Sequence, residues 1–296
     1  MTKDKIRLGN SEPKRGREML QDIGEHVFKN EFTLRRPPKA GDSVLAFHER
    51  TVYVAGNGSS APVTLPTADC FNEAELVYLF SIDDRAYFLF KGNHALLNLP
   101  GFSWQNNTVL RSDNPRMTCF AGFTAYHLYN WYFNNRYCGR CGTETVHSAK
   151  ERALICPHCN NIIYPKIAPA VIVGITDGDR IVVTRYRDRP YRGLALIAGF
   201  CEIGETPEMT ACREAMEEVG LKIKNLRYCG SQPWGLDSNI LFGFMAEVDG
   251  STDIIRDENE LAEAFWVSRE ELTEPDSTIS LTKTMIGNFK KNGFKF

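Results

Sequence analysis

The chain is expected to belong to the α+β / α/β class. A mixed sheet between helices is preceded by a four-cysteine ribbon and a small β-rich N-terminal domain. Three features of the 296-residue sequence carry that expectation. Two continuous apolar runs, joined by Asp177-Gly178-Asp179, predict a hairpin whose strands are covered on both faces. The stretch GFCEIGETPEMTACREAMEEVGL, Gly199 to Leu221, carries the start and stop signals of one helix. Two CxxC pairs, Cys138/Cys141 and Cys156/Cys159, stand a short hairpin apart.

Length and composition set the outer limits. A chain of this size suggests two domains or one large one. The formal charge is −2 and the pI about 6.3, so no global basic field invites nucleic acid or anionic membrane. The start is charged and lacks a signal-peptide apolar run, and nowhere do eighteen apolar residues occur together, so the protein is expected to be soluble and cytoplasmic. Nine cysteines, four of them in CxxC pairs, argue for metal in a reducing compartment over disulfides. The other five, Cys70, Cys119, Cys201, Cys212 and Cys229, are read as buried small side chains.

Four segments follow in order. Residues 1–18 are a charged lead-in. Residues 19–134 form a β-rich domain ending in a helix: strands between Asp42 and Val54, a hairpin from LVYLF at 76–80 to AYFLF at 86–90 around a turn at 81–85, and a turn at Gly56-Asn57-Gly58. Its composition names no chemistry; scaffold, dimer surface and substrate wall all remain open. After Asn114-Pro115, Phe120, Phe123, His127, Leu128 and Trp131 follow helical spacing, and this stripe is read as core, with His127 a satisfied core histidine.

Residues 135–165 hold the ribbon. Four thiolates on two knuckles can close tetrahedrally on Zn²⁺ and leave no open ligand position, so the site is expected to be structural. The ribbon also raises the possibility of nucleic-acid contact, but Arg136, Arg140, Lys150, Arg152 and Lys166 are interrupted by Glu144 and Glu151, with only Tyr137 and Tyr164 as nearby aromatics.

Residues 166–296 hold the predicted sandwich. After the hairpin, RYRDRPYRG at 185–193 supplies four arginines that either form solvated surface or meet substrate phosphates. Strands are expected near Leu226–Tyr228, Ile240–Val248 and at 264–267. Ser268 with Glu271 reads as a capping box for a short helix, and Ile279, Thr282, Met285, Ile286 and Phe289 as a last amphipathic helix.

The helix inside the Gly199–Leu221 stretch concentrates chemistry. Thr206 is a cap, Pro207 a first residue and Gly220 a stop. Glu214, Glu217 and Glu218 fall within roughly 100° of arc. Carboxylates so crowded call for a divalent cation, and hard oxygen ligands suit Mg²⁺ or Mn²⁺. Arg213 can brace them and pair with Glu205. The opposite face, Met209, Ala211, Cys212, Ala215, Met216 and Val219, is expected to dock the helix on the sheet.

Gly199, Glu205, Arg213, Glu214, Glu217, Glu218 and Gly220 stand at the spacing that identifies the stretch as a resemblance to the Nudix hydrolases, which implies an α/β/α sandwich and metal-assisted hydrolysis of a nucleoside diphosphate linked to another group. By that resemblance, Glu214, Glu217, Glu218, Arg213 and Glu205 are catalytic. The metal would be held by Glu214 and Glu218, the Ala198 carbonyl and Glu217, the last as ligand or base. A further metal-linked acid falls on Glu260, with Glu263 as the alternative.

The order of β-rich domain, four-cysteine ribbon, YPKIAP at 164–169, acidic helix and Ser231-Gln232-Pro233-Trp234 resembles the NADH pyrophosphatase branch of that family. This implies cleavage of NADH to reduced nicotinamide mononucleotide and AMP, in some members removal of NAD caps from RNA, and a homodimer. Substrate contacts would fall on Glu151, Tyr164, Phe200, Gln232, Pro233, Trp234, Asn239 and Ser280. The chain departs from the branch where SQPW normally continues PFPxS: here it reads Gly235-Leu236-Asp237-Ser238-Asn239, losing two prolines and gaining an acid. Ser280 replaces a small apolar residue. Hydrolysis is expected to survive, with preference among NADH, NAD and ADP-ribose open to shift. A non-catalytic ligand sensor or nucleic-acid-binding regulator is the alternative of another class; such proteins tend to lose box glutamates, and all four are here.

Overall fold

The structure, a computed structural model, describes residues 19–111, 114–187, 193–275 and 279–294. The charged lead-in, and Arg189 and Arg192 of the arginine-rich loop, lie outside the described residues. The chain divides into two compact units. Of the described residues, one takes in Gln21–Pro169 and Pro233–Ile240, the other Ala170–Gln232 and the residues from Leu241 on, with Met19 and Leu20.

In the first unit β1 (Phe28–Lys29), β2 (Ser43–Leu45), β3 (Phe47–His48), β4 (Thr51–Ala55), β5 (Leu76–Ile82), β6 (Arg85–Phe90) and β7 (Phe102–Asn106) build two sheets. Their orders are β1-β5-β6-β2 and β3-β4-β7. The β5–β6 turn is tighter than the sequence suggested: only Asp83 and Asp84 lie outside the strands. Asp83 takes the left-handed φ of 55° that such a turn demands. Its carboxylate accepts from the backbone N–H of Val27 and from His26. Behind β2, the buried carboxylate of Asp42 accepts two bonds from Arg36 and one each from the Lys39 and Ala86 N–H groups, so its desolvation is fully offset.

Helix α1 (Arg116–Asn134) begins just after Pro115 and buries Phe120, Phe123, Leu128 and Trp131, as its periodicity predicts. His127 is half-buried and donates from Nε2 to the Lys166 carbonyl at 2.8 Å; burial lowers its pKa. Three two-residue strands, β8 (Val146–His147), β9 (Leu154–Ile155) and β10 (Ile162–Ile163), form the ribbon sheet. So small a sheet buries little beyond Ser148, Ala153, Leu154, Cys138 and Cys156, and needs another source of stability. The ribbon's Arg152 and the N-terminal domain's Arg35 are both spent inside this unit. Arg152 donates to the Leu79 carbonyl and lies over the Phe32 ring; Arg35 covers the same ring and donates to the Ala149 carbonyl.

The second unit is built on β11 (Ala168–Asp177), β12 (Arg180–Tyr186), β13 (Ile197–Phe200), α2 (Pro207–Val219), β14 (Ile223–Trp234), β15 (Asn239–Val248), β16 (Leu261–Ser268) and α3 (Leu281–Asn292). The sheet order is β14-β15-β11-β12-β16, with β13 also pairing on β11. β12 runs antiparallel to β11 and β16. β15 runs parallel to β11: Ala168 bonds to Ser238 at one end, and Thr176 to Ala246 the same number of residues further along both strands. The sheet is therefore mixed.

Alternation along the strands makes the sandwich. Val171, Val173, Ile175, Val182 and Phe244 point to the face covered by Ala211, Ala215 and Val219 of α2. Ile172, Ile181, Val183 and Met245 point to the opposite face, under Met285, Ile286 and Phe289 of α3. Two expectations are corrected. SQPW ends strand β14, twelve residues long, where a shorter strand was predicted. Ser268 and Glu271 do exchange the bonds of a capping box, but only a turn follows, because no apolar stripe continues past Leu272 to dock a helix.

Candidate active site

The cap signals act as read. Thr206 Oγ1 accepts from the Met209 N–H, Pro207 opens α2, and Gly220 closes it at φ 68°. The docking face differs from the prediction. Met209, Cys212 and Met216 are exposed, while Thr210, Ala211, Glu214, Ala215, Glu218 and Val219 are buried. The helix turns its acids partly inward because Gly199, opposite them on β13, has no side chain. A Cβ there would overlap the Glu214 carboxylate. Cys70 is likewise exposed, contrary to expectation. We predict that Gly199→Ala lowers turnover roughly a hundredfold by displacing Glu214, read as kcat beside an unchanged far-UV circular dichroism spectrum.

Arg213 is the centre of the cluster. Its Nε and Nη2 donate to the two oxygens of Glu205 at 2.7 and 2.9 Å. Nη2 also donates to the Phe200 carbonyl at 3.0 Å. Nη1 is shared, reaching Glu214 at 2.7 Å and Glu217 at 2.8 Å. Glu205 accepts further bonds from the Glu202 N–H and the Thr210 hydroxyl. Arg213, then these other donors, hold its carboxyl down to about 2. Thr210 was missed in the sequence. Its signal was its position four residues before Glu214 and eight before Glu218, on the stripe the helix buries.

Glu218 is 2% exposed and accepts from the Ala198 N–H at 3.3 Å, which sets Ala198 beside it. Glu217 is the exposed acid, its side chain 58% exposed. Burial raises the pKa of Glu214; Arg213 opposes this, and the Glu217 and Glu260 charges add to it. Glu260 is therefore close enough to act on the cluster. Glu263, the other acid, is paired with Arg185.

The two candidate metal sites differ in readiness. The ligand atoms of Cys138, Cys141, Cys156 and Cys159 all lie within 4.8 Å of one another, and among the described residues no other group of three or more ligands does so. The set fits a tetrahedral Zn²⁺. The hydroxyl of Thr143, with its N–H and His158 nearby, holds the Cys141 thiol down to about 5, toward the thiolate a metal needs. Glu205, Glu214 and Glu217 are gathered instead by Arg213. They suit a hard cation in donor type, and the repulsion felt at Glu214 is what such a cation relieves.

The remaining predicted residues are placed unit by unit. Phe200 ends β13 with its ring 53% exposed. Gln232 is fully buried: Nε2 donates to the Ile279 carbonyl, and Oε1 accepts from the Leu281 N–H. Ser280 caps α3 through the Lys283 N–H. The polar atoms of both are thus committed to the start of α3. In the other unit the Tyr164 hydroxyl donates to Glu151 at 3.1 Å. Pro233 is exposed and Asn239 buried there, at the two ends of the β14–β15 turn. Trp234 meets the Phe123 ring edge-on at 5.1 Å and donates from Nε1 to Asp237 at 3.0 Å. Asp237 also faces Arg50 at 3.9 Å. The acid gained in this turn is therefore engaged by its own unit. Gly235 is required there, since a Cβ would overlap the Phe123 carbonyl.

With known proteins the chain shares two domains: the NUDIX domain over residues 166–285 and the NADH pyrophosphatase zinc ribbon domain over residues 134–164. It is 45% identical over 148 residues to the NAD-capped RNA hydrolase NudC of Escherichia coli (strain K12 / DH10B), and equally to that of Shigella boydii serotype 18. These matches take in 49% of this chain and 56% of each relative, so the chain spans about half the length of the curated relatives it matches. Among solved structures it is similar to a NUDIX hydrolase from Nitrosomonas europaea, at 22% identity and a TM-score of 0.46, over 53% of this chain and 90% of that one.

Proposed function

We propose that this chain, which carries a NUDIX domain behind an NADH pyrophosphatase zinc ribbon, hydrolyses the pyrophosphate bond of NADH- and NAD-type dinucleotides, giving nicotinamide mononucleotide and AMP. The observation that carries the reading is the Arg213-centred cluster: one guanidinium bonded to Glu205, Glu214 and Glu217, with Glu218 buried on the same helix.

Glu214 and Glu218, with Glu260 and the Ala198 carbonyl, are the residues that would hold Mg²⁺ or Mn²⁺, and of Glu217's two readings, ligand or base, we take the base. Bound there, the cation supplies charge neutralisation and Lewis acidity toward a phosphoryl oxygen. Glu205 and Arg213 fix the helix against the Gly199 strand, so that the acids keep their places. Glu217, exposed and bonded only at its tip, can leave Arg213 and accept a proton from the attacking water as its oxygen adds to phosphorus. The bridging P–O bond then breaks and one mononucleotide leaves. Phe200, exposed beside the cluster, offers a face for a base or nicotinamide ring. The zinc ribbon takes no chemical step.

The relatives' name favours a second substrate of the same chemistry, RNA carrying an NAD cap, at the same site. The protein is further proposed to be a cytoplasmic homodimer; no helix among the described residues is long and apolar enough to cross a membrane. The test is incubation of the purified protein and divalent metal with NADH, NAD, ADP-ribose, diadenosine polyphosphates and NAD-capped RNA. Nicotinamide mononucleotide and AMP are expected from NADH or NAD. Release of no mononucleotide from any of them overturns the reading, and steep salt dependence confined to the capped RNA makes RNA the main substrate.

A further inference from the structure

We infer that Thr210 is a positioning residue for the Arg213 cluster. Its hydroxyl pins Glu205 independently of Arg213, so the loop acid stays in place when the arginine exchanges partners. This rests on the hydrolase reading above.

Glu205 joins the loop to the helix through four donors. Arg213 supplies two, the Glu202 N–H one, and the Thr210 hydroxyl, at 2.9 Å from Oε2, the fourth. The same hydroxyl lies 3.2 Å from the Thr206 carbonyl, but the charged oxygen is both nearer and the stronger acceptor. Arg213 cannot be a fixed anchor by itself. It also serves Glu214, Glu217 and the Phe200 carbonyl, and its Nη1 already divides between two carboxylates. Any cation or phosphate that draws Glu214 or Glu217 away changes what Arg213 touches. Thr210 is not subject to that competition: it is fully buried and four residues, one turn, before Glu214. A hydroxyl in a helix commonly bonds back to its own i−4 carbonyl; here Glu205 shares it at the shorter distance.

The test compares Thr210→Val, which keeps the shape and removes the hydroxyl, with Thr210→Ser, which keeps the hydroxyl. The valine variant is expected to lower kcat for the best dinucleotide five- to tenfold with KM within twofold, and serine to stay within twofold of wild type in both. In a Glu205→Ala background, which removes the acceptor, valine is expected to add nothing. A parallel Mn²⁺ titration by electron paramagnetic resonance reads the cluster without turnover, and is expected to weaken several-fold for valine alone. If the wild-type protein cleaves nothing yet this metal shift appears, the hydrolase reading fails and the positioning role stands. Equal kcat and Mn²⁺ affinity in valine and wild type, or equal losses in valine and serine, overturn the inference. Thr210→Ala replaces valine in the comparison if valine does not fold.

Discussion

Glutamine in place of Glu218 is expected to lower kcat for dinucleotide hydrolysis by about three orders of magnitude, the upper range for losing a charged group at the reacting centre. Folding should survive. Glu218 is 2% exposed, and one of its oxygens accepts from the Ala198 N–H. The glutamine carboxamide has nearly the same volume, and its Oε1 can accept that same bond. What disappears is a negative charge held out of water, and a buried charge is a cost to stability rather than a gain. The urea midpoint should therefore be unchanged or slightly higher while Mn²⁺ affinity and turnover collapse together. Turnover within tenfold of wild type would remove Glu218 from the metal set and leave Glu214, Glu217 and Glu260 to account for the chemistry. Loss of turnover together with loss of the folded state would be uninformative for glutamine; Glu218→Asp, which keeps the charge and withdraws it by one methylene, then separates reach from charge.

The sequence made the helix ends, the cysteine cluster and the strand alternation legible because each is a local rule. A cap needs a hydroxyl, a proline and a glycine at fixed offsets, and α2 obeys all three. A thiolate cluster needs only spacing, and the four sulfurs converge. Which side of α2 is buried was not legible, since it depends on a partner distant in the chain. Apolar Met209 and Met216 lie outward and charged Glu214 and Glu218 inward because the strand facing them carries a glycine. The difference between Glu260 and Glu263 was not legible for a similar reason: Arg185, on the neighbouring strand, pairs with Glu263. The GLDSN turn was read as an acid gained near substrate. No spacing rule could have revealed that Trp234 and Arg50 would engage Asp237, or that Phe123 leaves no room for a side chain at Gly235.

Serine in place of Cys156 is expected to strip the chain of its zinc and unfold the ribbon, with the largest loss of stability of any single change discussed. Cys156 is fully buried, its sulfur 3.4 Å from that of Cys141, and it accepts from the Cys159 N–H. The three strands it supports are two residues each, and structural zinc in comparably small domains supplies about 10–16 kcal/mol of apparent folding free energy at neutral pH. A hydroxyl is a harder and far less acidic ligand than a thiol, so three thiolates would hold the ion much more weakly. Metal analysis should give about one zinc per chain for the wild type and markedly less for the variant. Amide exchange should rise over residues 138–163 first. Unfolding should stop short of β5, because the ribbon's Arg152 bond to the Leu79 carbonyl is a contact whose loss β5, paired with β6 along its length, can tolerate. Cys212→Ser, at an exposed thiol away from the cluster, is the control and should keep full zinc. Full zinc in Cys156→Ser as well would mean that three sulfurs and a substitute ligand suffice. His158, the residue already close enough to act on the Cys141 thiol, would then be the ligand to remove next.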